Sequence, residues 1–418
     1  MANTIFEHAF TGNDEIKLAN KMNFETLKRT FWNKWLGYTS NEGRMVRVGN
    51  GVLPMTTSAP VVVHRELISQ GGDVLKVPML RKLDNLPKFG NSQLKGFEEK
   101  QAVSWMYCAV DNVRHAVLQQ EGAMSAQTTK GMKLLENSKP QLSNHFARWL
   151  NANLTYAMYS GHSYNILVGS GRYASHSKIE VISHPHFFTA GAGKVSYSAG
   201  NPSTAGYETS VGTAITNLGV TNVFDMDLIS SLQTNEYVRN IEPIIAKDGT
   251  LYRLLLAHSW QIKQLEDDSN FKSLANSAFV QQMAKDNPYI AGAKYFVHGF
   301  AIFENDTAVW PLTTASGLPV YGPSTVTNLS SFETYSTGTK FGAMILGQNA
   351  LAYSQGSGMR FVGESDDYGA RVGLGYEIID GAARNDFFNH DDGTLGEAKK
   401  LINQSSAIVG TYSPNPGF

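Results

Sequence analysis

The sequence predicts an α+β protein in which extended limbs leave a compact, multi-part body. Three observations carry this. Helical and strand-like periodicities are interleaved along 418 residues, a length at which one hydrophobic core gives way to several subdomains. Two strand-like segments, Gly72 to Leu80 and Gln101 to Val113, are separated by about twenty residues, far beyond the two to five of an ordinary hairpin loop. Finally, a stripe of apolar residues continues at helical spacing from Thr129 to Gly161, long enough for a spine-like rod.

The elements follow in chain order. Residues 1–60 read as an arm: Ile16, Leu18, Met22, Leu27, Phe31, Trp32, Trp35 and Leu36 give approximate helical spacing between Asp14 and Leu36, and a Gly- and Pro-punctuated extended stretch runs to Pro60. Such a helix cannot cover its apolar side alone. In the strand from Gln101, Val103, Trp105, Tyr107 and Ala109 share one face by the two-residue period. The segment between the paired strands, Arg81 to Lys100, is expected to project from the body, and a lone projecting hairpin is marginal in water without a surface from another molecule. In the spine, Leu142, Phe146, Trp149, Leu150, Leu154, Ala157 and Met158 form the stripe, and Pro140 is expected to kink it or to start its second half.

Residues 162–222 carry turn glycines and short Tyr-, Val- and Thr-containing runs, which predict irregular strands and loops without helix. Asp225 is a plausible N-cap for a helix from Met226 to Val238. Strands are expected at Ile241 to Ala246 and Leu251 to His258 around the turn Lys247-Asp248-Gly249-Thr250, then a helix from Asn270 to Ala284 and strands from Lys294 to Glu304. A Ser/Thr-rich loop fills 312–338. Strand signals resume at Phe341 to Gly347, Arg360 to Glu364 and Arg371 to Ile379. No repeat or heptad run appears, which sets aside solenoids and coiled coils.

Composition narrows the function. Thirty-five basic and thirty-six acidic side chains leave a net charge of -1, and charged residues make up only 17%. That balance lacks the basic footprint of a protein that grips nucleic acid. The single cysteine, Cys108, has no partner for an internal disulfide, so packing and a reducing compartment are expected. The N-terminus lacks a basic segment followed by an apolar run, and no apolar stretch approaches the roughly 20 residues of a membrane helix. Catalysis finds no motif: neither a nucleophile elbow nor a phosphate-binding glycine loop occurs around His64, His115 or His145. His184-Pro185-His186 lacks companion ligands at zinc spacing, and Asp366-Asp367 and Asp391-Asp392 do not extend into a calcium loop. No cofactor or metal is expected. Trp32, Trp35 and Trp105 are expected as aromatic anchors at a contact with another copy of the chain rather than as ligand-stacking rings.

Several short motifs then occur in a telling order. Gly72-Asp73-Val74 opens the projecting hairpin and Val113-Arg114-His115-Ala116-Val117 closes it; Asn287-Pro288-Tyr289-Ile290-Ala291-Gly292-Ala293 precedes the strand from Val297 to Glu304. Gly342 to Ala350 leads to Asp367-Tyr368-Gly369, Arg371-Val372-Gly373 and Gly381-Ala382-Ala383-Arg384. This series resembles the podovirus-type major capsid proteins of tailed bacteriophages, with the Hong Kong 97-like fold, over almost the whole chain.

The resemblance implies a division into N-arm (1–60), a connection into the P-domain (61–71), E-loop (72–113), P-domain with spine helix (114–222), A-domain (223–345), and P-domain return strands with a C-terminal tail (346–418). Residues 162–222 and 312–338 look longer than the family pattern, as surface insertions would. It implies a shell subunit that forms hexamers and pentamers around double-stranded DNA without reading its sequence, in a virion assembled in the bacterial cytoplasm. Expected partners are other copies, a portal protein, a separate scaffold protein, since the first sixty residues lack a long charged helical character, and possible decoration proteins; no membrane is involved. A tail or portal component is the alternative. Asp367, Tyr368 and Arg371 are expected at subunit contacts. So are Arg81, Lys82, Lys88 and Lys95, whose modest positive excess is expected to meet the acidic group Glu364, Asp366, Asp367 and Asp380 of a neighbour.

Overall fold

In the computed structural model of this chain the described residues are 30–38, 46–48, 51–53, 59–65, 67, 72–80, 103–120, 134–169, 172–173, 179, 181, 184–191, 194–197, 207–245, 250–275, 292–312, 328–329, 339–366, 371–389 and 401–414. After a 3-10 turn at Phe31–Trp35 come β1 (Leu36–Tyr38), β2 (Val46–Val48), β3 (Gly51–Leu53), β4 (Val61–His64), β5 (Val74–Leu80), β6 (Val103–Ala109) and β7 (Asp111–Gln120). The spine helix α1 (Leu134–Ser160) leads through a π-turn at Asn165–Gly169 to β8 (Phe187–Gly191) and β9 (Lys194–Tyr197). Next are α2 (Tyr207–Thr216), α3 (Met226–Thr234), α4 (Glu236–Asn240), β10 (Ile244–Ile245), β11 (Leu251–Ala257), α5 (Ser259–Asp267) and α6 (Ser269–Ala275). The chain closes with β12 (Tyr295–Val297), β13 (Phe300–Glu304), β14 (Lys340–Leu346), β15 (Leu351–Asp366), β16 (Arg371–Arg384), β17 (Phe387–Asn389), β18 (Leu401–Ile402) and β19 (Ser406–Tyr412).

An eight-stranded mixed sheet runs β12-β13-β11-β14-β19-β8-β9, with β10 paired to β11. Its central strands are apolar on both faces. Leu255 and Ala257 pack with Ile229, Leu232, Ile262 and Leu265 from the helices on one side, whereas Leu254 and Leu256 join Trp35, Phe341 and Trp310 on the other. Two-sided burial explains the continuous run Leu254-Leu255-Leu256-Ala257.

A second sheet, β1-β4-β15-β16-β7, carries α1 on one face. Leu142, Phe146 and Leu150 of the helix meet Leu374, Tyr376 and Ile378 of β16, as their spacing predicts. Pro140 lies inside the helix, two residues ahead of Leu142, where the buried apolar stripe begins. The third sheet, β18-β17-β6-β5, crosses the second at Gly381, where an added Cβ would lie 2.0 Å from the Ala109 carbonyl oxygen; only glycine permits that approach.

Several expectations are corrected. Of the expected helix from Asp14 to Leu36 the described part is a 3-10 turn followed by a strand, because Leu36–Tyr38 pair in parallel with Val61–Val63 and tertiary pairing overrides the periodicity. The stretch 162–222 does contain a helix, α2, held by Val211 and Ile215 one turn apart. The helix expected at 226–238 is two helices, since Asn235 ends α3 and its side chain caps α4. The strand expected to end at Val113 breaks at Val110 and continues as β7 to Gln120. Within the expected C-terminal tail, β19 sits between β14 and β8 in the eight-stranded sheet.

Candidate assembly surfaces

A buried polar hub joins the two large sheets to the end of the spine helix. Arg384, at the end of β16, is about 1% exposed. Its Nη1 donates to the carbonyls of Met158 (2.9 Å) and Tyr159 (3.1 Å), closing the C-terminus of α1, where a cation also complements the helix dipole. Its Nε and Nη2 grip Asp386 Oδ2 at 2.7 and 2.6 Å. Asp386 Oδ1 accepts from Asn403 Nδ2 (2.8 Å), and Asn403 Oδ1 accepts from the backbone N–H groups of Ser405 and Ser406 (both 3.0 Å), where β19 begins.

His184 Nδ1 accepts from the His186 backbone N–H at 3.0 Å, which leaves Nε2 as donor to Ser406 Oγ, also at 3.0 Å. Burial, then the Arg384 charge, holds His184 well below the usual histidine range, so it is neutral. The two histidines thus act as hydrogen-bonding wedges. No group of three or more candidate metal ligands occurs among the described residues.

The sheet face opposite α1 is built in register. Arg360, Glu377 and Arg114 form one cross-strand row on β15, β16 and β7, and Val362, Gly375 and Ala116 form the next. Glu377 Oε1 accepts from Arg114 Nε (3.1 Å), Arg114 Nη2 (2.9 Å) and Asn112 Nδ2 (2.7 Å); Oε2 accepts from Arg360 Nε at 2.7 Å. Burial alone would raise the Glu377 pKa, but the hydrogen bonds from Asn112, Arg360 and Arg114 outweigh it and hold the carboxylate below its ordinary range. Both arginine side chains are nonetheless 68% exposed, and Val362 is 51% exposed.

The residues singled out from sequence fall into three groups. Trp32 and Trp35 are buried in the chain's own core: Trp32 Nε1 donates to Thr155 Oγ1 at 3.3 Å, and the Trp35 ring meets Phe303 edge-on at 5.2 Å. Their expected role as anchors on a neighbour is therefore corrected, because both aromatic surfaces are already covered by α1 and β13. Trp105 is half-buried on the outward face of β6, with Ser104, Met106 and Cys108 turned inward. Arg81, Lys82, Lys88, Lys95, Asp367 and Tyr368 lie outside the described residues, and for Arg371 only the backbone pairing with Asp366 and Gln120 is described. Asp380 is fully buried, so it cannot belong to an acidic surface patch as expected.

Sequence reasoning missed both the hub and the Arg114–Glu377–Arg360 row. An arginine ending the small-residue run Gly381-Ala382-Ala383 was the available signal for the first. The second becomes visible only once three strands are in register. Among the described residues no helix is long and apolar enough to cross a membrane.

A family model described as phage capsid protein matches residues 14–414. No curated protein matches the sequence. Among solved structures, the capsid of Ralstonia phage GP4 is similar, with a TM-score of 0.57 at 14% identity over 91% of this chain and 93% of that one. The cyanophage Pam1 capsid gives 0.53 at 11% identity over 90% and 98%, and the head of Helicobacter pylori bacteriophage KHP40 gives 0.52 at 11% over 89% and 97%. The likeness shows the expected α+β, Hong Kong 97-like fold.

Proposed function

The chain belongs to the phage capsid protein family and is a structural capsid component, and from that premise we propose how it builds the head. Copies associate as hexamers and pentamers and close into an icosahedral shell around double-stranded DNA. The family match over residues 14–414 carries this reading. The eight-stranded sheet with α3 to α6 acts as the axial A-domain, α1 with the β15–β16–β7 sheet as the peripheral P-domain, and the β5–β6 hairpin as the base of an E-loop that lies over a neighbour. Trp105, on the outward face of that hairpin, is an anchor for it.

Physical chemistry supports the assignment. A container must not seize its contents, and a net charge of -1 leaves few unbalanced cations for phosphates. Closed symmetry multiplies many modest contacts per copy, so no single contact has to be strong. The chain carries out no catalysis in this role. A portal protein, a separate scaffold protein and decoration proteins are proposed partners, and assembly takes place in the host bacterial cytoplasm.

Electron microscopy of the protein expressed with and without a scaffold tests the proposal. Closed shells with five- and six-fold capsomers are expected. Rings of one fixed number, as a portal or tail tube forms, would overturn it.

A further inference from the structure

We propose that the exposed face carrying Arg114, Ala116, Arg360, Val362, Gly375 and Glu377 is a contact between copies of this chain, and that it receives an acidic segment of a second copy. The inference rests on the shell-subunit reading and adds to it a surface and the chemistry of what that surface accepts.

Charge geometry favours such a contact. Two guanidinium groups share a single carboxylate, so the row holds a net charge of +1 on side chains that Glu377 has already oriented. Each arginine offers five N–H donors in a planar fork, and Glu377 engages only some of them. The remaining donors point from side chains that are 68% exposed. Such a pre-ordered pair suits carboxylates, because the ordering of the arginine side chains precedes binding.

Surface relief favours it as well. In the adjoining row, Val362 stands beside Gly375 and Ala116, and a Cβ on Gly375 would lie 3.1 Å from the Ala116 Cβ. The strip is therefore nearly free of side-chain bulk, and an extended backbone can approach it while covering Val362. Opposite faces of the same strands show the contrast: Phe361, Leu374, Tyr376 and Ile378 are buried under α1, with Val113 packed against them.

Chemistry decides the kind of partner. Nucleic acid binding needs several cations along a track, whereas this row supplies two arginines, one of them neutralised, next to an exposed valine. Arginine beside apolar and small residues is the composition of a protein interface. A protein that builds shells from copies of itself supplies that partner at high local concentration.

A photo-cross-linking amino acid placed at Val362 tests this directly, since it leaves the charged row intact. After irradiation of assembled shells, the expected product is a covalent dimer whose captured peptide comes from this same chain and contains Asp or Glu. Separately, R114E/R360E should lower shell yield at least tenfold, R114K/R360K should restore most of it, and circular dichroism should show unassembled R114E/R360E folded. Cross-links in intact shells only to DNA or to a different virion protein, or none at all, would overturn the proposal, as would full yield for R114E/R360E. Failure of the unsubstituted chain to form shells is a different outcome, and it would strike the shell reading itself.

Discussion

Asp380 shows how one side chain sets a pH dependence. It is fully buried, Tyr353 Oη donates to its Oδ2 at 2.8 Å, and Oδ1 has no hydrogen-bond partner. Burial pushes its pKa up to about 7, against the hydrogen bond from Tyr353. Between about pH 4 and 7 the folded chain keeps a proton that the unfolded chain has lost, so this group's contribution declines as pH rises through that window. His145 works the other way: half-buried and stacked on His115 at 3.7 Å, it is pushed down to about 4, chiefly by burial, so its contribution is lost as pH falls from 6.5 towards 4. D380N should therefore raise the stability of the unassembled subunit at pH 8 by about 1–3 kcal/mol, at roughly 1.4 kcal/mol per unit of pKa displacement less the cost of an imperfectly bonded amide. Urea denaturation at pH 8 and pH 4 checks this; an equal change at both values would contradict it. At this scale the sequence was only partly legible. Cys108 was expected to pack and is buried, but nothing in composition separates a tryptophan that a chain covers itself, such as Trp35, from one that faces outward, such as Trp105.

Elements with strong local signals were readable, and those defined by distant partners were not. The spine helix, the Asp225 cap and the β14, β15 and β16 strands carry periodicity or capping chemistry in their own residues. By contrast, α5 is capped by His258, whose ring accepts from the Trp260 N–H, while Gln261 returns a bond to the His258 N–H; histidine in that role gives no conventional signal. Strand β19 carries strand formers at Ile408-Val409 and Thr411-Tyr412, but its place between β14 and β8 is set by seven register pairs to β14 and by the Asn403 and Arg384 hub. Removing the Arg384 side chain leaves Asp386 buried without its cation and the last α1 carbonyls without their donor, so R384A should destabilise the subunit by about 3–5 kcal/mol. Chemical denaturation measures it, and a loss below about 1 kcal/mol would show that the hub is not a joint between α1 and β19.

For the whole molecule, the order of motifs along the chain foretold the architecture better than the covering of its surfaces. The periodicity of residues 1–60 predicts an arm that finds cover only on other copies; of its described residues, Trp32, Trp35, Leu36 and Ala59 instead lie in the main core and β1 joins the second sheet through β4, while β2 and β3 pair only with each other. The described core is covered by the chain's own elements, which fits a subunit that docks through outward strand faces. Hydrogen–deuterium exchange, compared between unassembled subunit and closed shell, tests that claim most directly. Equal protection in both states is predicted for 31–38, 340–346 and 406–412, with new protection in the shell at outward strands such as 103–109, 357–362 and 373–377. Rapid exchange at 31–38 in the free subunit, suppressed only in the shell, would contradict it.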